Sequence, residues 1–302
     1  MTVLEAIQKS TEFLGKKNVE SPRLQTELLL AHLLAMPRLK LYLNFARELT
    51  PAETDALREL IKRRGQREPL QHLTGTTSFC GHEITVNRHV LIPRPETELL
   101  AELGWQFLST INSEQSTALD FCTGSGCLAI AIAAKCPKAK IVATDISAEA
   151  LALAQENAAR NQLAEQIEFL AGDGFAALPV VGQAACLSSS AMHPTGNLPV
   201  PLFDLIVSNP PYIPSAEIDA LEPEVRDFDP RLALDGGADG LDFYRMVAGQ
   251  AKAFLKPAGK IMVEFGDGQA AAIKTIFTGE KWIVEAVRED YSQRARILVA
   301  RR

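Results

Sequence analysis

The sequence predicts an α/β fold, an open and mostly parallel sheet of seven strands with helices on both faces, preceded by a small all-α bundle. Three observations predict it: strand-like and helix-like segments alternate from residue 117 onward, a glycine-rich turn joins the first such pair, and residues 1–75 carry helical periodicity alone.

The helical part comes first. Apolar residues run at helical spacing from Val3, Leu4 and Ile7 to Phe13 and Leu14. Ser21-Pro22 reads as an N-cap followed by proline at the first helical position, opening a helix through Leu24, Leu28 and Leu34. Thr50-Pro51-Ala52-Glu53 repeats that logic and adds a capping box ahead of Leu57, Leu60 and Ile61. Residues 1–75 are therefore expected to form one domain.

Residues 76–92 change period. Phe79, Ile84, Val86, Val90 and Leu91, with Gly81 between them, predict a short hairpin linking the two domains. The second domain, residues 93–302, opens with a helix through Leu99, Leu103 and Phe107. Strands are then expected at 118–121, 140–144, 167–171, 203–207, 260–265, 282–287 and 296–300. Helices are expected at 127–135, 148–161 and 243–254. Residues 182–201, with Ser188-Ser189-Ser190, three prolines and two glycines, read as a flexible surface insertion.

Composition excludes several classes. With 302 residues, 47% hydrophobic and 23% charged, the chain can bury a sizeable core. The apolar stretch from Leu28 to Met36 is interrupted by His32 and too short to span a bilayer, so no membrane association and a cytoplasmic location are expected. The five cysteines are odd in number and scattered, and no His-Glu-x-x-His pattern occurs, so neither a disulfide framework nor a metal site is expected. A net charge of −6 weighs against direct nucleic-acid binding. The charge is uneven, at +3 over residues 1–75 and −9 over the rest. Lys62, Arg63, Arg64 and Arg67 concentrate the positive part, and read as the solvated end of a helix, or else as a docking patch for an acidic partner.

Asp120-Phe121-Cys122-Thr123-Gly124-Ser125-Gly126 falls where the first strand hands over to its helix. Glycines there permit a tight turn and close ligand approach, and the helix start attracts a carboxylate or phosphate. Asp145 follows Gly126 by 19 residues, at the end of the second strand, where a carboxylate can accept from both hydroxyls of a ribose. Gly124-x-Gly126-x-x-Ala129 also fits a dinucleotide fingerprint, so NAD(P) stays open here. Asp173, after the third strand, is either an adenine contact or an ordinary turn aspartate.

Asn209-Pro210-Pro211-Tyr212 follows the strand at 203–207, at the carboxyl edge of the sheet where open α/β folds bind ligands. An amide or aniline-like nitrogen is a poor nucleophile because its lone pair is delocalised, as in a peptide bond. A catalyst must hold such an NH₂ by its hydrogens and aim the lone pair at an electrophilic methyl. The Asn209 side-chain oxygen and the Pro210 carbonyl supply two acceptors for two N–H donors, and the prolines fix φ. Tyr212 can stack on the flat group and favour developing positive charge by about 0.5–2 kcal/mol. Asn209, Pro210 and Tyr212 are thus the candidate catalytic residues, and Asn209 to Tyr212 the candidate substrate grip.

With these residues assembled, the chain resembles the release-factor glutamine methyltransferases (the PrmC/HemK family) over nearly its whole length. The matching segments are Glu68 to Gly75, Leu91-Ile92-Pro93-Arg94-Pro95-Glu96-Thr97-Glu98, Asp120 to Gly126, Val207 to Tyr212 and Pro230 to Leu234. Asn-Pro-Pro-Tyr is shared with adenine-N6 methyltransferases, whereas Pro-Arg-Pro-Glu-Thr-Glu is far more specific. The resemblance implies a Rossmann-like class I methyltransferase sheet. It implies transfer of methyl from S-adenosylmethionine to the glutamine side-chain N5 in the Gly-Gly-Gln motif of peptide-chain release factors, with the helical domain helping to dock them. By position, Cys122, Thr123, Gly124, Ser125, Gly126, Asp145 and Asp173 would bind the cofactor, with Asn209 touching both cofactor and glutamine.

Two residues depart from the family pattern. Cys122 stands where glycine is usual, and Gly174 replaces a common tryptophan, so adenine stacking must come from elsewhere, with Phe175 the candidate. The rival readings are a ribosomal-protein glutamine methyltransferase, an adenine-N6 methyltransferase and a non-catalytic nucleotide-binding scaffold. The acidic second domain disfavours the adenine-N6 enzyme, and a scaffold has no reason to keep Asn209 and Tyr212.

Overall fold

The computed structural model describes residues 1–111, 115–178 and 202–302, so the 182–201 segment lies wholly outside the described residues. The N-terminal part is helical: α1 (Val3–Lys16), α2 (Pro22–Leu33), α3 (Arg38–Tyr42), α4 (Pro51–Gly65) and α5 (Leu70–Thr74). Val3, Leu14, Leu29, Leu30, Leu41 and Leu57 pack into its own core. Thr2 and Thr50 each close a capping box at the start of α1 and α4, their hydroxyls accepting from the N–H of Glu5 and Glu53. Each such cap stabilises by about 1 kcal/mol. Ser21 does not cap α2 as the sequence suggests. Its backbone is left-handed at φ +47°, not the extended conformation that turns a hydroxyl toward the next amides, and its side chain makes no cap bond.

The basic run at the end of α4 is solvated only in part: Lys62 is exposed, but Arg64 and Arg67 are engaged in ion pairs. Arg64 is 3% exposed and donates to Glu224 at 2.7 Å. Arg67 donates to Glu224 at 2.6 Å and to Glu222 at 2.9 Å, while Arg63 pairs with Glu68. Glu222 and Glu224 sit at the start of the short helix α9 (Pro223–Arg226), downstream of Asn-Pro-Pro-Tyr. The cluster ties the helical part to that segment.

β1 (Thr76–Phe79) and β2 (His82–Thr85) pair antiparallel through a turn at Cys80 and Gly81, both at positive φ as a two-residue hairpin turn requires. Phe79 and Ile84 bury in the core of the sheet-bearing part. Seven strands form the main sheet in the order β5-β4-β3-β6-β7-β9-β8. β3 (Thr117–Phe121), β4 (Lys140–Asp145), β5 (Ile167–Ala171), β6 (Phe203–Ser208) and β7 (Leu255–Glu264) are parallel. β9 (Ala295–Arg301) runs antiparallel between β7 and β8 (Ile283–Glu289).

Side chains alternate along the strands, which divides the core into two layers. Ala118, Leu205 and Val207 face α6 (Thr97–Ser109), α7 (Cys127–Lys135) and α8 (Ala148–Arg160). Leu119, Phe121, Ile206 and Ile261 face α10 (Asp242–Gln250) and α11 (Ala270–Gly279). Strand order reverses between β3 and β6, the switch point where open α/β sheets open a crevice. The register sets Phe121 opposite Ser208 and Ser208 opposite Val263, so the segments leaving β3, β6 and β7 emerge side by side. No helix among the described residues is long and apolar enough to cross a membrane.

Candidate active site

The turn after β3 is braced from below. Asp120 is fully buried, and its Oδ2 accepts from the Thr123 hydroxyl at 2.6 Å and from the Ala129 N–H at 3.0 Å. Burial pushes its carboxyl up to about 7. Cys122 occupies the left-handed region at φ +63°, which explains why glycine suits this position. A Cβ there costs about 1 kcal/mol. Gly124 (φ +54°) has open space in front of it. Gly126 (φ +81°) serves packing, since a Cβ on it would fall 3.0 Å from the Ala154 side chain on α8.

Asp145 closes the turn from the end of β4. Its Oδ2 accepts from the Gly124 N–H and its Oδ1 from the Ser147 N–H, each at 2.9 Å. Each oxygen keeps a second lone pair for a hydroxyl donor. A third brace went unread in the sequence: Asn157, fully buried on α8, donates to Ser125 O at 2.9 Å and to Thr85 O at 3.0 Å. It thereby ties the hairpin to the glycine turn.

These residues border a cavity of about 260 Å³. Cys122, Thr123, Gly124, Ser125 and Asp145 line one side of it, and Asp173, Asn209 and Pro211 also reach it. Gly126 is not among its lining residues, nor are Pro210 and Tyr212. Those two line an adjoining hollow of about 420 Å³, and Leu91 and Arg94 border both spaces. Phe175 is corrected as the candidate for stacking. It is buried, with its ring 4.4 Å from Phe254 and 4.7 Å from Phe121, and it does not line the cavity. The apolar flank comes instead from Ile146 after β4 and from Phe243 and Met246 on α10. A Cβ on Gly174 would already touch Met246 at 3.7 Å, so Met246 fills the space a larger side chain would take.

Asn209 leaves the end of β6 with its Nδ2 donating to Thr97 Oγ1 at 3.1 Å. Its Oδ1 is buried and finds no partner among the described residues. Glu264, at the end of β7, is buried next to Thr97, and burial pushes its carboxyl up to about 7. The Tyr212 ring packs on Gly266, where a Cβ would lie 2.9 Å from Cδ2, and burial raises its phenol to about 12. Arg94 is held by Asp229 at 2.7 Å, and burial raises Asp229 to about 6. Neither Glu264 nor Asp229 is signalled by the sequence, because each partner lies over a hundred residues away. Among the described residues, no group of three or more His, Cys, Asp or Glu is placed to hold a metal ion.

Comparison with known proteins decides which chemistry this geometry serves. Residues 5–75 match the family described as the PrmC N-terminal domain, and residues 103–187 the methyltransferase small domain. The chain is 41% identical to the release factor glutamine methyltransferase of Geobacter sulfurreducens, over 92% of this chain and 88% of that one. It is 37% identical to the enzyme of that name from Moorella thermoacetica, over 100% of this chain and 99% of that one. The chain belongs to the release factor glutamine methyltransferase family. The methyl donor of this methyltransferase is S-adenosylmethionine, which removes the NAD(P) reading. The hMettl16 catalytic domain shares the fold, at a TM-score of 0.50 and 16% identity over 73% of this chain and 75% of that one.

The residues present fit that donor. An acid with free lone pairs faces the cavity, a glycine backbone lies open beside it, an apolar flank suits a flat base, and the wall includes Asn209, whose amide oxygen has no partner among the described residues.

Proposed function

We infer that this chain transfers the methyl group of S-adenosylmethionine to the side-chain N5 of the glutamine in the Gly-Gly-Gln motif of peptide-chain release factors, modulating translation termination. The observation that carries the chemistry is Asn209, a residue of the cavity wall beside the glycine turn whose Oδ1 is a buried acceptor without a partner among the described residues. An unpaired buried acceptor costs about 1–3 kcal/mol, and an incoming N–H recovers that cost. The names of the relatives supply the substrate.

In this reading Cys122 to Ser125, Asp145 and Asp173 hold the cofactor, which supplies an electrophilic methyl when bound, while Gly126 packs the turn onto α8. Asn209 Oδ1 and the Pro210 carbonyl take the two amide hydrogens and aim the nitrogen lone pair. Both acceptors bind more strongly as the N–H becomes more acidic during transfer, which is differential stabilisation of the transition state. Alignment of nitrogen, carbon and sulfur supplies much of the remaining acceleration. No protein base is required, since an N-protonated amide is acidic enough to lose its proton to water. Tyr212, a neutral phenol packed on Gly266, forms the wall of the hollow through which the glutamine approaches. Residues 1–75 dock the release factor, residues 76–92 link, and residues 93–302 catalyse, in the cytoplasm and without direct nucleic-acid contact.

The test is incubation with labelled S-adenosylmethionine and release factor, with a ribosomal-protein fraction and DNA as competitors. Label on the release-factor glutamine supports the reading. Label appearing only on a competitor, or on none, overturns it.

A further inference from the structure

We propose that Thr97 and Glu264 are positioning residues for methyl transfer, which together set which end of the Asn209 side-chain amide faces the cavity. The proposal rests on Asn209 acting as the acceptor for a substrate NH₂. The two ends of that amide have nearly the same shape but opposite hydrogen-bonding character. Turned the wrong way, Asn209 would point its own N–H groups at those of the substrate. A grip built on asparagine therefore works only if something else fixes the orientation.

The structure holds such a device. Asn209 Nδ2 donates to Thr97 Oγ1 at 3.1 Å, which leaves Oδ1, on a residue that lines the cavity, without a partner among the described residues. A threonine hydroxyl has one hydrogen and two lone pairs. When its hydrogen goes to the Glu264 carboxylate, Thr97 can only accept from Asn209. The placement follows from the sheet: Ser208 and Val263 are partners in the parallel ladder between β6 and β7, so Asn209 and Glu264 are the next residues of adjacent strands. Thr97 meets them from the first turn of α6. Both Thr97 and Glu264 are buried, and Glu264 Oε2 has no partner among the described residues.

An ionised Glu264 can only accept from Thr97. A protonated Glu264 can donate to it instead, which frees the Thr97 hydrogen to point at Asn209 and favours the reversed amide. Every element around Glu264 bears on that proton. Glu96, just before α6, opposes ionisation and Arg296 on β9 favours it. The phenols of Tyr212 and Tyr244 lie close enough for the carboxylate to oppose their own ionisation. The Tyr244 hydroxyl, on α10, is already committed to the main-chain oxygen of Glu264 at 2.7 Å. Burial outweighs the favourable contacts and brings the carboxyl to about 7.

The test compares full-length wild type with Thr97→Val, Thr97→Ser and Glu264→Gln, on release factor and labelled cofactor, across neutral pH. Thr97→Val keeps the shape and removes the hydroxyl, and should lower kcat at least about tenfold with cofactor Kd within about twofold. Thr97→Ser should restore most of kcat, whereas a packing role for the threonine methyl would give the opposite ranking. Wild type should lose kcat as pH falls through about 7, and Glu264→Gln should lack that limb. Side-chain amide NMR on the wild-type protein needs no positioning variant: the Asn209 NH₂ signals, assigned by their loss in Asn209→Ala, should move with the same midpoint. Thr97→Val at wild-type kcat, Thr97→Ser no better than Thr97→Val, or Asn209 signals flat across that range would each overturn the proposal. If wild type labels the glutamine and the variants keep pace, positioning alone fails. If wild type labels no glutamine, the functional reading fails and takes the positioning proposal with it.

Discussion

Asn157 gives both ends of its side-chain amide to the backbone of Thr85, accepting from the Thr85 N–H at 2.8 Å and donating to its carbonyl at 3.0 Å. It thus acts as the neighbouring strand that β2 lacks on that side, while the same Nδ2 also reaches Ser125 in the glycine turn. Asn157→Ala leaves these backbone groups without their partner. The expected cost is about 2–4 kcal/mol of unfolding free energy, read by denaturant titration. Cofactor affinity should fall with it, because the turn loses a brace. An Asn157→Ala protein with wild-type stability would refute that role.

The ion cluster joining the helical part to α9 separates two carboxylates by burial. The Glu224 side chain is 21% exposed and is shared by Arg64 and Arg67, whereas that of Glu222 is 77% exposed. Glu224→Ala removes the carboxylate paired with the buried Arg64 guanidinium, which keeps only the neutral acceptors Gln25 Oε1 and Glu68 O, and should destabilise by about 3–5 kcal/mol. Glu222→Ala should cost under about 1 kcal/mol. Comparable costs, measured by denaturant titration, would mean that the cluster adds nothing by being buried.

Stability of the ligand-free protein should fall as pH rises. Burial raises Asp120 and Glu264 to about 7 and Asp229 to about 6. A carboxyl with a raised folded pKa binds its proton more tightly in the folded state. Its contribution is complete below the unfolded value near 4, and is lost as pH rises through the folded one. The melting temperature at about pH 5.5 should exceed that at about pH 8, and Glu264→Gln should flatten part of the slope. A slope of opposite sign would contradict the burial of these groups.

Cys122→Gly should stabilise the protein, because the backbone at φ +63° strains any residue with a Cβ. The gain expected is up to about 1 kcal/mol, with a rise in Tm of about 2 °C, while Cys122→Val should lower it. Calorimetry ranking the wild-type cysteine above glycine would show that the thiol's packing outweighs the strain.

Much of the scaffold was legible because its signals are local. The central strands β3 and β6 are buried on both faces and read as short apolar runs, and the glycine turn and Asp145 sit at fixed spacing within one unit. What stayed hidden depends on pairs distant in sequence. Thr97 on a helix and Glu264 on a strand look like ordinary polar positions until the ladder brings Asn209 between them. Arg64 sits in a basic run that reads as solvated, and its partner comes 160 residues later. Phe175 misled for the converse reason, since an aromatic beside a ligand loop serves a core as readily as a cavity, and here it stacks on Phe254.

Asn209 and Pro211 face one hollow while Pro210 and Tyr212 face the next, so four consecutive residues form a partition with a chamber on each side. On the proposed function, cofactor and glutamine each have a chamber of their own, and the two chambers must join at Asn209 for nitrogen and methyl to touch. In kinetic terms, neither must vacate the other's space before exchange, and the methyl crosses directly without resting on the protein. On that reading both substrates are bound together at the moment of transfer, and initial-rate kinetics should be sequential.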